Sequence, residues 1–358
     1  MNTLRLFAIV LPVTLLMACG GGGSSGGTAA APTPMNPPTN MPGMDDPMNP
    51  GTGDPMNPPT TTPTVMLETL PAWTITNLDM ARTAVGGTAP TAANTMTETA
   101  IISAIQSRAE VADTFEFSDF GPTANAVSVT CTNSNKSCTT GNVDNVGTLT
   151  FSLVDIEDLS LVNETGLVGF DSDTRAVMVD EGVTMIESRD AGRQSDGTQL
   201  TFQTYGGWLA NSVFGVELLG VTENGTPTNR FASFSFGKAS GNSPTEGTGV
   251  LHWTGAMVGT NTTTGDIIQG VTDIIYIPSS NILHQVEFSN VKNLNTGNDV
   301  LFVGNNVLQF QDIPLTNGRF ESANGEVRGR FFGTNHEEVG GIFNSGSNNI
   351  IGAFGAKK

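Results

Sequence analysis

Three histidines, His252, His284 and His336, are the side chains best suited to ligate a metal or haem iron. No two of them have the spacing of a His-Glu-x-x-His pair, so the sequence predicts no metal site. A single histidine on a loop has the chemistry to ligate haem iron. Structural and surface histidines are commoner, so no cofactor is predicted, and haem stays open as a ligand.

Acidic side chains are the other candidates for chemistry. Asp171-Ser172-Asp173 begins like a calcium-binding loop, but the glycine and the closing glutamate are missing at the required spacing. Glu157 and Asp158 could serve glycoside hydrolysis, although two solvated surface carboxylates are the simpler interpretation. No Gly-x-Ser-x-Gly elbow, phosphate loop or dinucleotide fingerprint occurs. The sequence therefore predicts no catalytic residue and no enzyme.

Two of the three cysteines close a short loop. Cys131 and Cys138 flank six polar residues, and export would place them in an oxidising compartment. We expect a disulfide between them, which would stabilise the fold by about 2–3 kcal/mol through loop entropy. A reduced metal-binding pair is the alternative, but no further ligands lie nearby in the sequence.

The third cysteine, Cys19, follows a short apolar segment. Arg5 precedes an apolar run of 11 residues, Leu6–Leu16, which is too short to span a bilayer. Leu16-Met17-Ala18-Cys19 resembles the lipobox of bacterial lipoproteins, which implies a signal peptide at 1–18 and lipidation of Cys19. Gly20 lacks the aspartate that retains enteric lipoproteins at the inner membrane, so we expect an outer-membrane anchor. A secretory signal cleaved after Ala18 is the alternative.

Residues 19–65 have the composition of a disordered tether. A Gly/Ser-rich stretch is followed by three copies of Pro-Met-Asn-Pro. Such a segment buries too little apolar surface to offset its ordering entropy. The methionines have no histidine or cysteine near them, so a spacer is favoured over a copper site.

The composition limits both the fold and the partners. Of the 358 residues, 14% are charged, 43 are glycine, and the net charge is −19. This charge argues against nucleic acid or an anionic membrane surface as an electrostatic partner. Abundant Thr, Asn, Gly and Val suit strands and turns, which disfavours helical bundles and βαβ folds.

One segment has a helical pattern and the remainder has strand patterns. Thr95 and Glu98 form a possible capping box before an apolar face that includes Ile101 and Ile105, which predicts a helix at about 96–112. Phe234 and Phe236 alternate with serines, as do Leu149, Phe151 and Leu153 with polar residues. These patterns predict half-buried antiparallel strands.

Turn residues separate several of these strands. Asn224-Gly225, Gly304-Asn305-Asn306 and Asn324-Gly325 each lie between two strand-like runs, and Asn-Gly is a strong hairpin signal. Successive hairpins without a crossover helix indicate a sandwich or an up-and-down barrel. The last 160 residues or so contain enough predicted strands for a small barrel, whose interior Phe and Leu would leave little room for a large ligand.

The C-terminus carries the most specific pattern. It runs Gly-Arg-Phe-Phe-Gly from Gly329, Glu-Val-Gly-Gly-Ile-Phe from Glu338, and Phe-Gly-Ala-Lys from Phe354. With Gly255-Ala-Met-Val-Gly259 after His252-Trp253, it resembles the barrel domain of transferrin-binding protein B. The residues of this pattern, which we call the closing motif, are Gly329, Phe331, Gly333, Glu338, Gly340, Gly341, Phe343, Phe354 and Gly355. We expect the glycines at 333, 340 and 341 at turns or bulges, the phenylalanines inside the barrel, and no catalytic role for Glu337 or Glu338.

The resemblance, strongest over about 200–358, implies the domain organisation. A handle-like β-rich domain with one helix would occupy 66–199, and an eight-stranded antiparallel β-barrel would occupy 200–358. The fold class is mainly β. The pattern departs from the family at His336, where a small residue is usual, and no transferrin-contact motif is present. The ligand is therefore not inherited from the resemblance.

The same resemblance implies a surface lipoprotein that captures an iron source, such as an iron-carrier protein, haem or a haemoprotein, or another macromolecule. A Slam-type translocon and a TonB-dependent receptor would be its partners. The alternative is a periplasm-facing envelope scaffold with no soluble ligand. The ligand-binding residues are unknown at this stage.

Overall fold

A computed structural model describes the following parts of the chain: residues 65–67, 75, 79, 82–83, 86–91, 96–120, 126–132, 137–140, 150–152, 171–180, 183–194, 197, 199–245 and 249–358. Cys19, the rest of the predicted tether up to residue 64, Thr95, Leu149, Leu153, Glu157 and Asp158 lie outside these residues, and residue 65, predicted as the end of the tether, belongs to a strand. Within the described part, no helix is long and apolar enough to cross a membrane.

The described residues are mainly β, as the sequence predicted, and they include the predicted helix. The helix, α1, spans Glu98–Val111 and lies between the first two strands. The strands are β1 Val65–Leu67, β2 Thr114–Phe120, β3 Ala126–Thr132, β4 Ser137–Thr140, β5 Thr150–Ser152, β6 Asp171–Asp180, β7 Val183–Gln194, β8 Gln199–Trp208, β9 Ser212–Glu223, β10 Thr226–Gly237, β11 Leu251–Asn261, β12 Ile267–Ile277, β13 Ile282–Asn293, β14 Leu308–Thr316, β15 Arg319–Glu321, β16 Val327–Phe332, β17 Glu338–Ser345 and β18 Ile350–Lys357.

Ten strands form an open antiparallel sheet, which we call the handle sheet. Its strand order is β1-β7-β8-β9-β10-β2-β3-β4-β5, and β6 pairs with the same edge of β7 as β1 does. Helix α1 packs Ile101 and Ile105 against one face, beside Phe115 and Phe234. The apolar face of the helix was therefore predicted correctly from its spacing.

The helix begins slightly later than its sequence pattern suggested. The backbone N–H of Ala100 donates a hydrogen bond to Thr97 Oγ1 at 3.2 Å, so Thr97 satisfies one of the free N–H groups of the first turn.

Strands β11–β18 form a closed eight-stranded antiparallel barrel, as predicted. Each strand pairs with the next, and β18 returns to β11 over eight residue pairs, from Thr254 opposite Lys357 to Asn261 opposite Ile350. Closure removes the free edges that an open sheet exposes.

The division between handle and barrel falls later than the predicted boundary at 199/200. Strands β8, β9 and β10, which the sequence analysis assigned to the barrel domain, belong to the handle sheet. The barrel begins only at Leu251, which pairs with Tyr276 of β12. Hairpin patterns alone did not reveal this difference, because antiparallel hairpins of either sheet have the same alternation and turn residues.

The second half of strand β10, residues 231–237, is buried on both faces, whereas alternation predicted one solvated face. Ser233 and Ser235 are 0% and 1% exposed, as buried as the neighbouring phenylalanines. The barrel covers the serine face, and small hydroxyl side chains allow its strands to approach closely.

Two of the three predicted hairpins are present. Asn224-Gly225 joins β9 to β10 with positive φ at both residues, 50° and 79°, as a type I′ turn requires. Asn324-Gly325 joins β15 to β16. The hairpin predicted at Gly304-Asn305-Asn306 is wrong, because β14 pairs with β13 and these residues belong to a long loop at 294–307.

Candidate functional site

The barrel interior is filled with aromatic side chains. Phe331, Phe343 and Phe354 of the closing motif lie in its buried core with Trp253 and Phe288. Ring centroids are 4.5 Å apart for Phe288 and Phe343, and 5.1 Å apart for Trp253 and Phe331. These tilted contacts add to the area burial of each ring. The interior of the barrel is therefore occupied by its own side chains.

The closing glycines have a packing role that their sequence pattern did not indicate. Gly340 and Gly341 lie inside β17 in regular register and not at a bulge. A Cβ at Gly341 would lie 2.2 Å from the Arg328 carbonyl oxygen. The absence of a side chain permits this close strand approach, and Gly329, inside β16, is similarly enclosed.

Gly333 and Gly355 serve two different purposes. Gly333 lies in the β16–β17 turn with φ +79°, which suits a residue without a Cβ. Gly355 lies in β18, and a Cβ there would be 2.5 Å from the ring of Phe214 in the handle. Gly355 is thus part of the contact between the two sheets.

The handle sheet packs along the barrel wall over a continuous apolar surface, which we call the seam. Its buried residues include Tyr205, Phe214 and Val216 from the handle and Ala256, Ile342 and Ala353 from the barrel. Burying each large apolar side chain contributes about 1.5–3 kcal/mol. The seam therefore holds the two sheets together in the manner of a domain core.

Polar contacts cross the seam as well. The Tyr205 hydroxyl donates a hydrogen bond to Gln269 Oε1, and burial raises the pKa of Tyr205. On the handle side, Glu187 is fully buried and accepts hydrogen bonds from Arg175 Nη2 at 2.8 Å and Gln203 Nε2 at 3.0 Å. Burial raises the pKa of Glu187, although the hydrogen bond from Arg175 and its positive charge act to lower it.

Glu338 of the closing motif joins the β8–β9 turn to the barrel. It is 3% exposed and accepts hydrogen bonds from the Asn211 backbone N–H at 3.0 and 3.1 Å, from Asn211 Nδ2 at 3.1 Å and from Ser212 Oγ at 2.8 Å. Burial raises the pKa of Glu338, and these donors oppose the shift. Its role is structural, and its neighbour Glu337 accepts a hydrogen bond within the β16–β17 turn from the Asn335 N–H at 3.0 Å.

A further ion cluster was not predicted from the sequence. Glu116 of β2 is 3.2 Å from Arg319 Nε, 3.3 Å from Arg328 Nε and 3.6 Å from Arg330 Nε. The local signal was present, since Arg328 and Arg330 are two residues apart and so point to one face of a strand. Their carboxylate partner is about two hundred residues away in sequence, so no local pattern could identify it.

The three histidines lie apart from one another in their contacts. His252 pairs with Asp273 on the barrel surface, and His284 Nδ1 is 3.5 Å from Asp312. His336 lies in the β16–β17 turn with φ +58°, and its Nε2 is 3.0 Å from the Asn242 carbonyl oxygen. No group of three potential His, Cys, Asp or Glu ligands occurs among the described residues.

Cys131 and Cys138 are placed opposite each other by backbone register. They form one residue pair of the β3–β4 hairpin. Directly opposed residues of antiparallel strands have Cα atoms about 4.5–5.5 Å apart, which is within the range that a disulfide spans. The disulfide stays a prediction.

The candidate calcium loop lies in regular structure. Asp171, Ser172 and Asp173 belong to β6 and pair with Ala191, Asp190 and Arg189 of β7.

The described residues form a β protein of two parts. One part is a closed barrel with a filled interior, and the other is a larger open sheet that packs against it. Residues 259–358 match the family model described as the C-lobe and N-lobe beta barrels of Tf-binding protein B. The chain therefore carries a transferrin-binding-protein-B-like β-barrel domain. The match is narrower than the region of resemblance in the sequence, 200–358, and it lies within the barrel strands.

Solved structures of related proteins are distant from this chain. A mutant of the vaccine antigen transferrin-binding protein B from Haemophilus parasuis Hp5 is 13% identical with a TM-score of 0.31, over 68% of this chain and 45% of that one. The N-lobe of lactoferrin-binding protein B from Moraxella bovis is 11% identical with a TM-score of 0.28, over 60% of this chain and 89% of that one. This chain thus spans less than half the length of the first. No curated protein matches the sequence.

Proposed function

We propose that the protein is a lipid-anchored outer-membrane lipoprotein that binds a macromolecule at the cell surface. The observation that carries the proposal is the match of residues 259–358 to the barrels of Tf-binding protein B. A protein that carries iron is the first candidate ligand, with a haemoprotein, haem or another macromolecule as further candidates. Lipidation of Cys19 and the predicted tether belong to the same proposal.

Barrel packing supports a macromolecular ligand over a small one. Aromatic rings such as Phe288, Phe320 and Phe354 fill the interior and are fully buried. A ligand in the lumen would have to displace them, at a cost of several kcal/mol. Loops and the outer barrel wall are therefore the surfaces that a partner would contact.

Haem remains a lower-ranked candidate. His252 and His284 each have half-exposed side chains, 51%, and each lies beside an aspartate. An exposed site of this kind lacks the apolar pocket that usually covers a haem. A Slam-type translocon and a TonB-dependent receptor are the proposed partners for export and uptake.

Surface display is tested by protease shaving of intact cells, with antibody against residues 66–358 and a periplasmic control protein. We expect the predicted tether, rich in Pro-Met-Asn-Pro, to be cut and the folded part to be released while the control stays intact. Full protection until the outer membrane is broken would contradict surface display and would leave the periplasm-facing scaffold as the better interpretation.

Binding is tested separately with the released protein. Immobilised protein would be presented with iron-loaded and iron-free transferrin and lactoferrin, haemoglobin and free haem, with albumin as a control. Saturable retention of one iron carrier or haemoprotein supports the proposal. Display on the cell without retention of any of them would contradict the iron-source ligand and leave the surface location standing.

A further inference from the structure

Three Asn-Gly pairs lie in turns of the described structure, and they differ in the contacts that hold them. They are Asn224-Gly225, Asn317-Gly318 and Asn324-Gly325. The first pair joins β9 to β10, the second joins β14 to β15, and the third joins β15 to β16. Because the dipeptide is the same in all three turns, a difference in their reactivity has to come from the fold.

An asparagine that is followed by glycine can lose its side-chain amide without an enzyme. The backbone nitrogen of the glycine bonds to the asparagine Cγ, and the Cγ–Nδ2 bond breaks. Nδ2 leaves as ammonia with the proton that the glycine nitrogen gave up, and a succinimide ring remains. Water then opens this ring at either carbonyl group, which gives aspartate or isoaspartate. Glycine favours the attack because no Cβ obstructs its nitrogen.

The attack requires a free glycine N–H and an asparagine side chain that can rotate towards it. A hydrogen bond donated by the glycine nitrogen has to break first, and so does each hydrogen bond that fixes the asparagine amide. Every bond that has to break adds to the activation barrier. A pair held by such bonds therefore reacts more slowly than a pair without them.

Asn324-Gly325 is held by both kinds of hydrogen bond. The Gly325 N–H donates to the Ser322 carbonyl oxygen at 2.9 Å. Asn324 Oδ1 accepts from Ser322 Oγ at 2.8 Å and from the Glu326 N–H at 3.3 Å. Asn324 Nδ2 donates to Glu326 Oε2 at 2.6 Å. Attack by the Gly325 nitrogen therefore requires this network to open.

Asn317-Gly318 is held through its glycine. Gly318 is buried, and its N–H donates to Ser243 Oγ at 3.2 Å. A Cβ on Gly318 would lie 2.4 Å from the Asn242 carbonyl oxygen. The Gly318 carbonyl oxygen accepts from the Phe331 N–H at 3.0 Å. Packing and hydrogen bonds thus both oppose rotation of this turn.

Asn224-Gly225 lacks these contacts. Both residues are exposed, and so are Thr226 and Pro227 after them. No described residue hydrogen-bonds the Asn224 amide or the Gly225 N–H, and a Cβ on Gly225 would meet no atom within 4 Å. The pairing of Glu223 with Thr226 closes the turn. The end of a hairpin opens at a lower free-energy cost than the core of a sheet does.

We propose that Asn224 is a site of spontaneous deamidation in the folded protein, and that the fold protects Asn317 and Asn324. The Gly225 nitrogen and water are the reactants. The product adds a carboxylate to a protein whose net charge is already −19. Isoaspartate also adds a backbone carbon atom to a two-residue turn, whose length fixes the register of the hairpin. The β9–β10 hairpin is thus a part of the handle that changes as the protein ages.

Peptide mass mapping of the aged full chain tests the proposal. The folded protein would be incubated in mildly alkaline buffer and then digested with trypsin under mildly acidic conditions, which suppress further reaction. Trypsin places the three pairs in separate peptides, 194–230, 293–319 and 320–328. Fragment spectra would locate the mass gain of amide hydrolysis. We expect this gain to appear at Asn224 at least about tenfold faster than at Asn317 or Asn324.

The same chain in concentrated urea separates the effect of the fold from that of the sequence. Once the chain is unfolded, the three pairs should react at similar rates, because the dipeptide is the same. Equal rates at the three pairs in the folded protein would overturn the proposal. An Asn224 that stays intact in the folded protein while the unfolded chain reacts would overturn it as well.

Ser322→Ala tests the protective hydrogen bonds directly. This substitution removes the bond from Ser322 Oγ to Asn324 Oδ1 and leaves the β9–β10 hairpin unaltered. We expect deamidation at Asn324 to become roughly two- to tenfold faster, with the rate at Asn224 unchanged as the internal control. An unchanged rate at Asn324, or an equal rise at Asn224, would contradict protection by local hydrogen bonds.

Discussion

Gly355 is a residue of the barrel at which the handle leaves no room for a side chain. A Cβ at this position of β18 would lie 2.5 Å from the ring of Phe214. Phe214 is itself buried and cannot move into solvent. Packing in such an interior is as dense as in organic crystals, so an added methyl group has to displace its neighbours. Gly355 belongs to the closing motif of the barrel, but the side chain that excludes a Cβ at this position belongs to the handle.

We expect Gly355→Ala to lower the free energy of unfolding by about 1–3 kcal/mol, the usual cost of overpacking. Urea unfolding would measure the loss. Gly346→Ala is the matched control, because a Cβ there meets no atom within 4 Å, and it should change the stability by less than about 0.5 kcal/mol. Equal stability of the two variants would contradict the close contact with Phe214.

The free energy of unfolding should depend on pH through the buried carboxyl of Glu338. Burial raises its pKa in the folded state above the ordinary 4.5. The folded state therefore holds the proton more tightly than the unfolded state does. The stability contributed by this group is fully present below pH 4.5 and is lost as the pH rises through the folded pKa.

Urea unfolding at several pH values on both sides of 4.5 would test this sign, because the effect of Glu338 falls above that pH and the effect of its neighbour Glu337 below it. In Glu338→Gln the decline in stability with rising pH should be smaller than in the unaltered protein. Glu337→Gln is the control with the opposite sign, because hydrogen bonds from the backbone N–H groups of Glu337 itself and of Asn335 lower the pKa of that carboxyl. The same change in slope for both variants would be inconsistent with the burial of Glu338.

At the scale of elements, the sequence predicted correctly the features that depend only on neighbouring residues, such as turns. The Asn224-Gly225 hairpin forms where predicted because positive φ at two adjacent residues is a property of the turn itself. Both faces of β10 are buried at residues 231–237 because the barrel packs on one of them. The alternation of residues within the strand does not reveal that a distant segment of the chain covers its polar face. The Gly304 turn residues were misleading because they lie inside a loop that folds over the barrel end and buries Phe302.

The β3–β4 hairpin carries the disulfide prediction. With Cys131 opposite Cys138, we expect both thiols to resist alkylation under native oxidising conditions and to react after reduction, as read by the mass of the peptide. Replacing both residues by serine should lower the unfolding free energy by about 2–3 kcal/mol. Alkylation of both cysteines before reduction would show that the pair is reduced and would revive a metal-binding role.

At the scale of the whole molecule, the closed barrel was predictable and the seam was not. The hairpin patterns left a sandwich or a barrel open, and the resemblance of the C-terminal motif to the barrel domain of transferrin-binding protein B favoured the barrel. The seam joins residues far apart in sequence, such as Asn211 with Glu338 and Tyr205 with Gln269. Such contacts depend on the docking of two finished sheets, so no window of the sequence contains both partners.

The seam predicts that handle and barrel unfold as one cooperative unit. Its apolar residues come from both sheets in one continuous buried cluster, so neither sheet can unfold without exposing the inner face of the other. Trp208 in the handle and Trp253 in the barrel are both buried, which makes them separate probes. In a Trp73→Phe background, variants with either tryptophan alone should give coincident urea midpoints by fluorescence.

A perturbation confined to the barrel makes the test of cooperativity sharper. Phe288 is fully buried in the barrel core, and Phe288→Leu removes ring contacts there without touching the seam. We expect this substitution to lower the midpoint reported by Trp208 as much as the one reported by Trp253, because the handle loses its partner surface when the barrel opens. A drop seen by Trp253 alone would mean that the handle folds independently, and the seam would then be a docking contact between two autonomous domains.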